Sequence, residues 1–281
     1  MKLRFWGTRG SIPSPGQHTV KYGGNTTCLE LILDDGTLII FDAGTGIRKL
    51  GNEIVQNNTN GTIHLFLTHS HWDHIQGFPF FIPAYSENVR IKIFGCPPAF
   101  NKLKEILTNQ MESSYFPVNF DQLKAYITFQ EISQNEHFVK DAQFLFIRNN
   151  HPGAAYGFKV IENNKIIVFI TDNELLPAKE STITSWNEFI DFCKDADLLV
   201  HDAHYLQKEM IETAGFGHSS YEHAFNLGIE ANVKHLIFFH HEPDRRDDEI
   251  ESILKYFREK INNLKIDMKL DAATEGLSYV I

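Results

Sequence analysis

The sequence predicts an α/β fold whose functional groups collect on one rim of a sheet. Short apolar runs of the buried-strand type, Leu38–Phe41, Ile63–Leu67, Ile166–Ile170, Leu198–Val200 and His235–Phe239, alternate with helical patterns. One strand after another then ends in a His or an Asp, at positions 42, 69, 151, 172, 202 and 240. In layered α/β folds such ends gather where sites form. The 23 Phe are enough to fill a thick, sheet-rich core, and 281 residues suit one domain spanning 1–281.

Taken in order, residues 2–6 alternate as a short strand, and the turn-rich stretch 7–16 follows as a loop placed to lie over a site. Arg9 and Ser11 in that loop are candidates for a phosphate contact. Two strands, Cys28–Leu33 and Leu38–Phe41, flank the hairpin signal Asp34-Asp35-Gly36. The second delivers Asp42 at its end, where a carboxylate can orient a ligand histidine through its second ring nitrogen. A helix runs to about residue 56, and the next strand leads into Thr68-His69-Ser70-His71-Trp72-Asp73-His74.

That loop carries the chemistry. Three imidazoles and a carboxylate within six residues are the donors a borderline divalent metal accepts. Residues two apart on an extended segment share a side, so His69 and His71 converge on one point, while Asp73 and His74 address a second as the chain turns into a helix. One loop can thus serve two metals.

Beyond it, Phe78–Tyr85 is apolar, a strand near 90–94 precedes a helix near 99–109, and Met111–Phe120 is aromatic and irregular. Strands then run to Ile147, His151 follows in a turn, and a strand at 155–161 turns at Asn163-Asn164 into Ile166–Ile170, which ends in Asp172. A helix near 185–194 precedes the strand that delivers Asp202. Gly217-His218-Ser219-Ser220 opens an amphipathic helix with Ser219 or Ser220 as its N-cap. The last buried strand exits into His240-His241, and a charged helix near 246–262 and a terminal strand near 277–281 close the chain. His204, Tyr205, Glu222 and His223 are read as helix-surface residues outside the site.

H-x-H-x-D-H after a strand, followed by a spaced His, Asp and His at later strand ends, resembles the metallo-β-lactamase superfamily along the whole chain. The resemblance implies an αβ/βα four-layer sandwich of two mixed β-sheets with a dimetal centre at one edge. It casts His69, His71 and His151 as ligands of the first metal, Asp73, His74 and His240 as ligands of the second, and Asp172 as the bridging carboxylate. His241 is the rival for His240. The cofactors it implies are two divalent ions, Zn first and Mn as the alternative, because the second set is rich in oxygen donors.

Ala196–Ala203 with Gly217-His218-Ser219-Ser220, and Phe41-Asp42-Ala43-Gly44-Thr45-Gly46, are similar to the ribonuclease Z-like branch, whose smaller members cleave cyclic phosphates. That likeness implies hydrolysis of small or cyclic phosphodiesters by a hydroxide held between the metals. Asp73 would orient it, and His218, held by Asp202, would assist at the phosphate. The alternatives are a lactonase or thioesterase on the same centre, or a tRNA 3′-processing endonuclease. The chain departs from the tRNA-processing pattern in having Asp202 where Glu is usual, and in lacking a long Gly/Pro-rich exosite insertion.

Composition narrows the partners. A formal net charge of -10 disfavours a broad nucleic-acid surface, which needs clustered Lys and Arg. The odd, widely spaced Cys28, Cys96 and Cys193 read as core thiols in a reducing compartment, and no stretch is apolar enough for a signal peptide or a membrane span. The expectation is a cytoplasmic enzyme with a small phosphodiester substrate, no membrane partner, and a homodimer contact through Tyr115 and Phe116.

Overall fold

The computed structural model describes residues 1–57, 61–97, 100–132, 136–176 and 182–281. Its strands are β1 (Lys2–Gly7), β2 (Cys28–Ile32), β3 (Leu38–Phe41), β4 (Gly61–Leu67), β5 (Val89–Gly95), β6 (Tyr126–Glu131), β7 (Glu136–Val139), β8 (Ala142–Arg148), β9 (Tyr156–Glu162), β10 (Lys165–Ile170), β11 (Leu198–Asp202), β12 (His235–Phe239), β13 (Lys269–Ala272) and β14 (Ser278–Val280). Its helices are α1 (Ile47–Gln56), α2 (Trp72–Ile75), α3 (Phe100–Asn109), α4 (Trp186–Cys193), α5 (Met210–Thr213), α6 (Tyr221–Glu230) and α7 (Asp247–Leu264).

Two seven-stranded sheets result, ordered β14-β1-β2-β3-β4-β5-β6 and β13-β12-β11-β10-β9-β8-β7. Each is mixed. β3 to β6 run parallel beside the antiparallel β14, β1 and β2, and β10 to β13 run parallel beside the antiparallel β7 to β9. Together with the flanking helices this is the αβ/βα sandwich expected of the fold family.

Alternation along the strands explains the layers. Phe41, Phe66 and Phe94 point to the second sheet and meet Phe144, Phe158 and Phe169, so the phenylalanines form the seam between the sheets. Phe66 stacks on Phe94 at 4.4 Å and on Phe144 at 4.8 Å between ring centres. Ile40, Ile63 and Leu65 face the other way and receive Ile47, Leu50 and Ile54 of α1 and Leu103 and Leu107 of α3. On the second sheet Leu199, Leu236 and Phe238 receive α4, α6 and α7 through Phe189, Phe225, Leu254 and Phe257. The three cysteines are free and buried, and burial pushes the Cys96 and Cys193 thiols up to about 12, so they pack as apolar groups.

Local chemistry sets the element ends. Ser220 is the N-cap of α6, its hydroxyl accepting from the His223 amide at 3.1 Å. α7 begins with Asp247, Asp248 and Glu249, which suit the positive end of its dipole. Asn163 and Asn164 both take positive φ in the β9–β10 hairpin, the conformation a two-residue turn requires. The sequence reading did not include α5 or β13, each four residues long, and Phe78–Tyr85 forms two 3₁₀ turns. Among the described residues no helix is long and apolar enough to cross a membrane.

Because Phe66 touches both sheets, Phe66→Ala is expected to lower the unfolding free energy by about 3–5 kcal/mol. The measurement is the denaturant midpoint at unchanged m-value.

Candidate metal centre and its neighbours

The site lies where the strand exits of both sheets meet. Three of those exits use a left-handed residue that is not glycine: Asp42 after β3 (φ 61), Asp172 after β10 (φ 50) and His240 after β12 (φ 59). Asp and His tolerate this region better than most residues, and the sharp exit keeps each side chain at the rim.

Two groups of donors face each other there. The ligand atoms of His69, His71, His151 and Asp172 all lie within 4.8 Å of one another, as do those of Asp73, His74, Asp172 and His240. Asp172 is common to both and divides its oxygens between them. Its Oδ2 lies 3.6 Å from His69 Nε2 and 3.7 Å from His151 Nε2, and its Oδ1 lies 3.1 Å from His74 Nε2 and 3.2 Å from His240 Nε2. Asp73 Oδ2 sits 3.1 Å from His74 Nε2 and 3.2 Å from His240 Nε2.

In His74, His151 and His69 the second ring nitrogen is held from behind. His74 Nδ1 donates to Asp42 Oδ2 at 2.8 Å, and Asp42, fully buried, also accepts from the Thr68 amide and hydroxyl. His151 Nδ1 donates to the Gly217 carbonyl at 3.0 Å. His69 Nδ1 pairs with the Thr68 hydroxyl at 3.0 Å. In each ring this leaves Nε2 turned to the site, the arrangement usual for metal-bound imidazoles.

The donor set fits divalent cations on its own chemistry. His69 Nε2 and His74 Nε2 are buried without a hydrogen-bond partner, although buried polar atoms are normally satisfied. His69 packs 4.5, 4.3 and 4.9 Å from His71, His74 and His151, between ring centres, so the imidazoles cannot all be protonated. Burial, with those neighbours, holds His69 well below the usual histidine range. Burial also pulls His74 down, but Asp172, Asp73 and Asp42 outweigh it and raise it well above that range. Three carboxylates converging on one ring mark a place that calls for positive charge.

Beside this centre, Asp202 at the end of β11 accepts from His218 Nδ1 at 2.7 Å and from the Ser219 amide at 3.1 Å. The His218 ring lies 5.1 Å from His240 and 5.3 Å from His151. Burial pulls the His218 imidazole down, and Asp202, with Asp172 and Asp73, more than offsets this and raises it to about 9.

The structure separates the two rivals after β12 and changes the readings of Arg9 and His204. His241 turns away from both groups and donates to the Ala273 carbonyl at 2.9 Å, so His240 alone of the pair faces the centre. Arg9 is buried, and its guanidinium donates to the carbonyls of Gly23, Glu242 and Arg245, tying loops together. It is therefore not a phosphate contact. The 7–16 loop does reach the centre, through the Ser11 amide, which donates to Asp73 Oδ2 at 2.8 Å.

His204 is not on a helix surface; it is buried and stacked on His218. The signal for it was its place two residues after Asp202 on an extended exit, which puts both side chains on one side. Tyr205 is half-buried at an isolated bridge to Ser220, edge-on to His204. Glu222 and His223 do lie on α6, away from the two groups.

Fold and donor set define a superfamily of metal-dependent hydrolases. The chain belongs to it: the model of the beta-lactamase superfamily domain matches residues 37–241, and the protein is a metallo-β-lactamase superfamily hydrolase. Ribonuclease Z of Bacillus cereus (strain B4264) is 22% identical over 95% of this chain and 96% of its own length, and ribonuclease Z of Picrophilus torridus is 23% identical over 96% and 97%. Among solved structures, the metallo-β-lactamase fold protein YhfI of Bacillus subtilis has a TM-score of 0.69 at 15% identity, covering 99% of both chains. The short form of human tRNase Z scores 0.67 at 20% identity, covering 100% of this chain and 99% of its own, and yeast PDE1 scores 0.68 at 14% identity, covering 100% and 99%. These structures share the fold.

Asp42→Asn keeps the shape behind His74 but removes the carboxylate charge, and is expected to weaken divalent-metal affinity roughly 10- to 100-fold. Competition with a chromophoric chelator measures it, and unchanged affinity would remove Asp42 from the support of His74.

Proposed function

We propose that this protein hydrolyses small or cyclic phosphodiesters at a dimetal centre. In this reading His69, His71 and His151 hold one ion, Asp73, His74 and His240 hold the other, and Asp172 bridges them. The observation that carries the reading is the Asp202–His218 pair, 2.7 Å apart, with the His218 ring beside rings of both donor groups. Such a pair can protonate a leaving alkoxide, and because it sits in motifs similar to the ribonuclease Z-like branch, whose curated relatives are ribonucleases, it favours a phosphodiester over a carbonyl substrate.

Two divalent ions held there, Zn or Mn, would lower a water's pKa from about 15.7 towards 7, so that its proton leaves to solvent before attack, and would neutralise charge on the non-bridging phosphate oxygens. The protein's own residues do the rest. Asp73, fixed by the Ser11 amide, orients the attacking water together with Asp172. As the water oxygen bonds to phosphorus, the P–O bond to the leaving group breaks, and His218 gives its Nε2 proton to the departing alkoxide. Asp202 holds Nδ1 and balances the imidazolium before the transfer.

A second reading is tRNA 3′-end processing, favoured by the resemblance to ribonuclease Z. The net charge of -10 weighs against a broad RNA surface and favours a small substrate. As parts of the same proposal, the 281 residues act as one cytoplasmic domain, and Tyr115, 78% exposed, with Phe116 beside it, offers a homodimer contact that light scattering would detect.

Bis-p-nitrophenyl phosphate, cyclic mononucleotides, a precursor tRNA and an acyl lactone form the discriminating panel. Turnover of the cyclic and model diesters is expected, and turnover confined to the lactone would overturn the proposal. In His218→Ala the diesterase rate is expected to fall roughly 10²- to 10⁴-fold with metal content unchanged. Retention of the full rate would take His218 out of the chemistry.

A further inference from the structure

His204 is a buried histidine packed against both His218 and His240 that the proposed reaction leaves without a task. It follows Asp202 by two residues and is 2% exposed. Its backbone is fixed beside His218, its amide donating to the Ser219 carbonyl at 3.0 Å. Its ring is fixed as well. Nδ1 lies 2.7 Å from the carbonyl oxygen of His240, and because a carbonyl only accepts, Nδ1 carries the proton. The ring is nearly parallel to that of His218, with centres 4.6 Å apart and planes at 19°, and its centre is 5.4 Å from that of His240. Tyr205 meets it edge-on at 4.6 Å.

The opposite wall is Gly10. A Cβ there would fall 2.9 Å from His204 Cε1 and 2.5 Å from His240 Cε1, so the 7–16 loop closes against both rings only because residue 10 has no side chain. Gly10, Tyr205 and the Ser219 carbonyl thus leave the His204 imidazole one position. From it the ring touches His218, assigned here to the leaving group, and the backbone of His240, assigned to the second ion.

We propose that His204 is a positioning residue with two separable tasks, a claim that rests on the phosphodiesterase reading for its first half only. Its ring face is the platform that keeps the His218 imidazole aligned towards the leaving group while Asp202 holds the other edge. Its Nδ1–H is the donor that fixes the His240 carbonyl, and hence the left-handed exit from β12 that aims His240 Nε2 at Asp73 and Asp172. Without that donor the carbonyl is buried and unpaired, and the strained φ of 59° loses its tether.

Two substitutions separate the tasks. His204→Asn keeps a donor where Nδ1 stands and removes the ring face. It is expected to bind Co²⁺ with parental affinity and an unchanged visible absorption spectrum, while kcat on bis-p-nitrophenyl phosphate falls about tenfold or more at a KM within about twofold, as for loss of an interaction made in the transition state. His204→Phe keeps the ring and removes the donor. It is expected to lose Co²⁺ affinity by about 10- to 100-fold and to shift the Co²⁺ spectrum, with the smaller loss in kcat at saturating metal. Parental kcat, KM and metal affinity in both variants would overturn the proposal. So would equal losses in both with a matching fall in Tm, which would make His204 general packing. If the parent protein turned over no phosphodiester, the functional reading would fall, yet the affinity and spectrum of the two variants would still decide the metal-side task.

Discussion

Everything at the rim is arranged around the carboxylate of Asp172. It is fully buried, and removing such a charge from water costs several kcal/mol, on the order of the whole stability of many domains, unless partners return it. Four imidazoles come within 3.7 Å of its two oxygens, two on each side. Those imidazoles arrive from the exits of three strands, β4 of one sheet and β8 and β12 of the other, so the sheets must meet at this edge for the carboxylate to be tolerated. The geometry also works in reverse. Asn149 donates from its side chain to the Thr171 carbonyl at 2.6 Å, and Thr171 donates to Asp172 Oδ1 at 2.7 Å, which holds the β10 exit still while the imidazoles close on it. A carboxylate this well held, with one oxygen for each donor group, has the form of a bridge between two cations.

The left-handed exits at Asp42, Asp172 and His240 carry a conformational cost that the hydrogen bonds at the rim return only together with the core behind them. That core lies on both faces, since β3 and β12 end in Phe41 and Phe239 in the seam between the sheets, while β10 ends in Ile170 under the helices of the second sheet, with Phe169 before it in the seam. Phe41 packs 5.2 Å from Phe158 and 5.5 Å from Phe169, which ties the first sheet's exit to the second's. Stability generated at the seam is thus spent on geometry at the edge. That division of labour is why strand exits supply most of the polar groups here, with Asp73 and His74 carried by the single turn of α2 just beyond β4.

It is also why so much was legible. An apolar run followed by His or Asp marks both a buried strand and the place where it leaves the core, so Asp42, His69, Asp172, Asp202 and His240 were visible in the sequence as a series. The signal failed where position on the chain says little about direction in space. His240 and His241 are neighbours, and only the left-handed turn sends one to Asp172 and the other to the Ala273 carbonyl. Arg9 looked like a loop cation, yet three carbonyls from two distant segments surround it. β13 is four residues with two of them charged, and it exists because β12 offers it a parallel ladder.

The distinction between a metal-binding edge and a phosphate-cleaving one rests on a second, smaller cluster. Asp202, His204 and His218 contribute no group to the bridge at Asp172, but His218 stacks on His240, which does, and His204 packs against the same ring at a tilt. Whatever fixes the His240 ring therefore also fixes its spacing from His218, the pair to which the proposed reaction gives the second ion and the proton. An imidazole on an independent loop would need its own supports to keep that distance. Here β11 and β12 are adjacent and parallel, paired from Leu199 with Leu236 to Asp202 with Phe239, so one register sets both clusters. A shift by one residue would turn Asp202 to the opposite face and separate the proton from the metal edge. In the proposed reaction the coupling of acid to metal is thus a property of the strand register, and side-chain contacts such as that of His204 with His240 refine it.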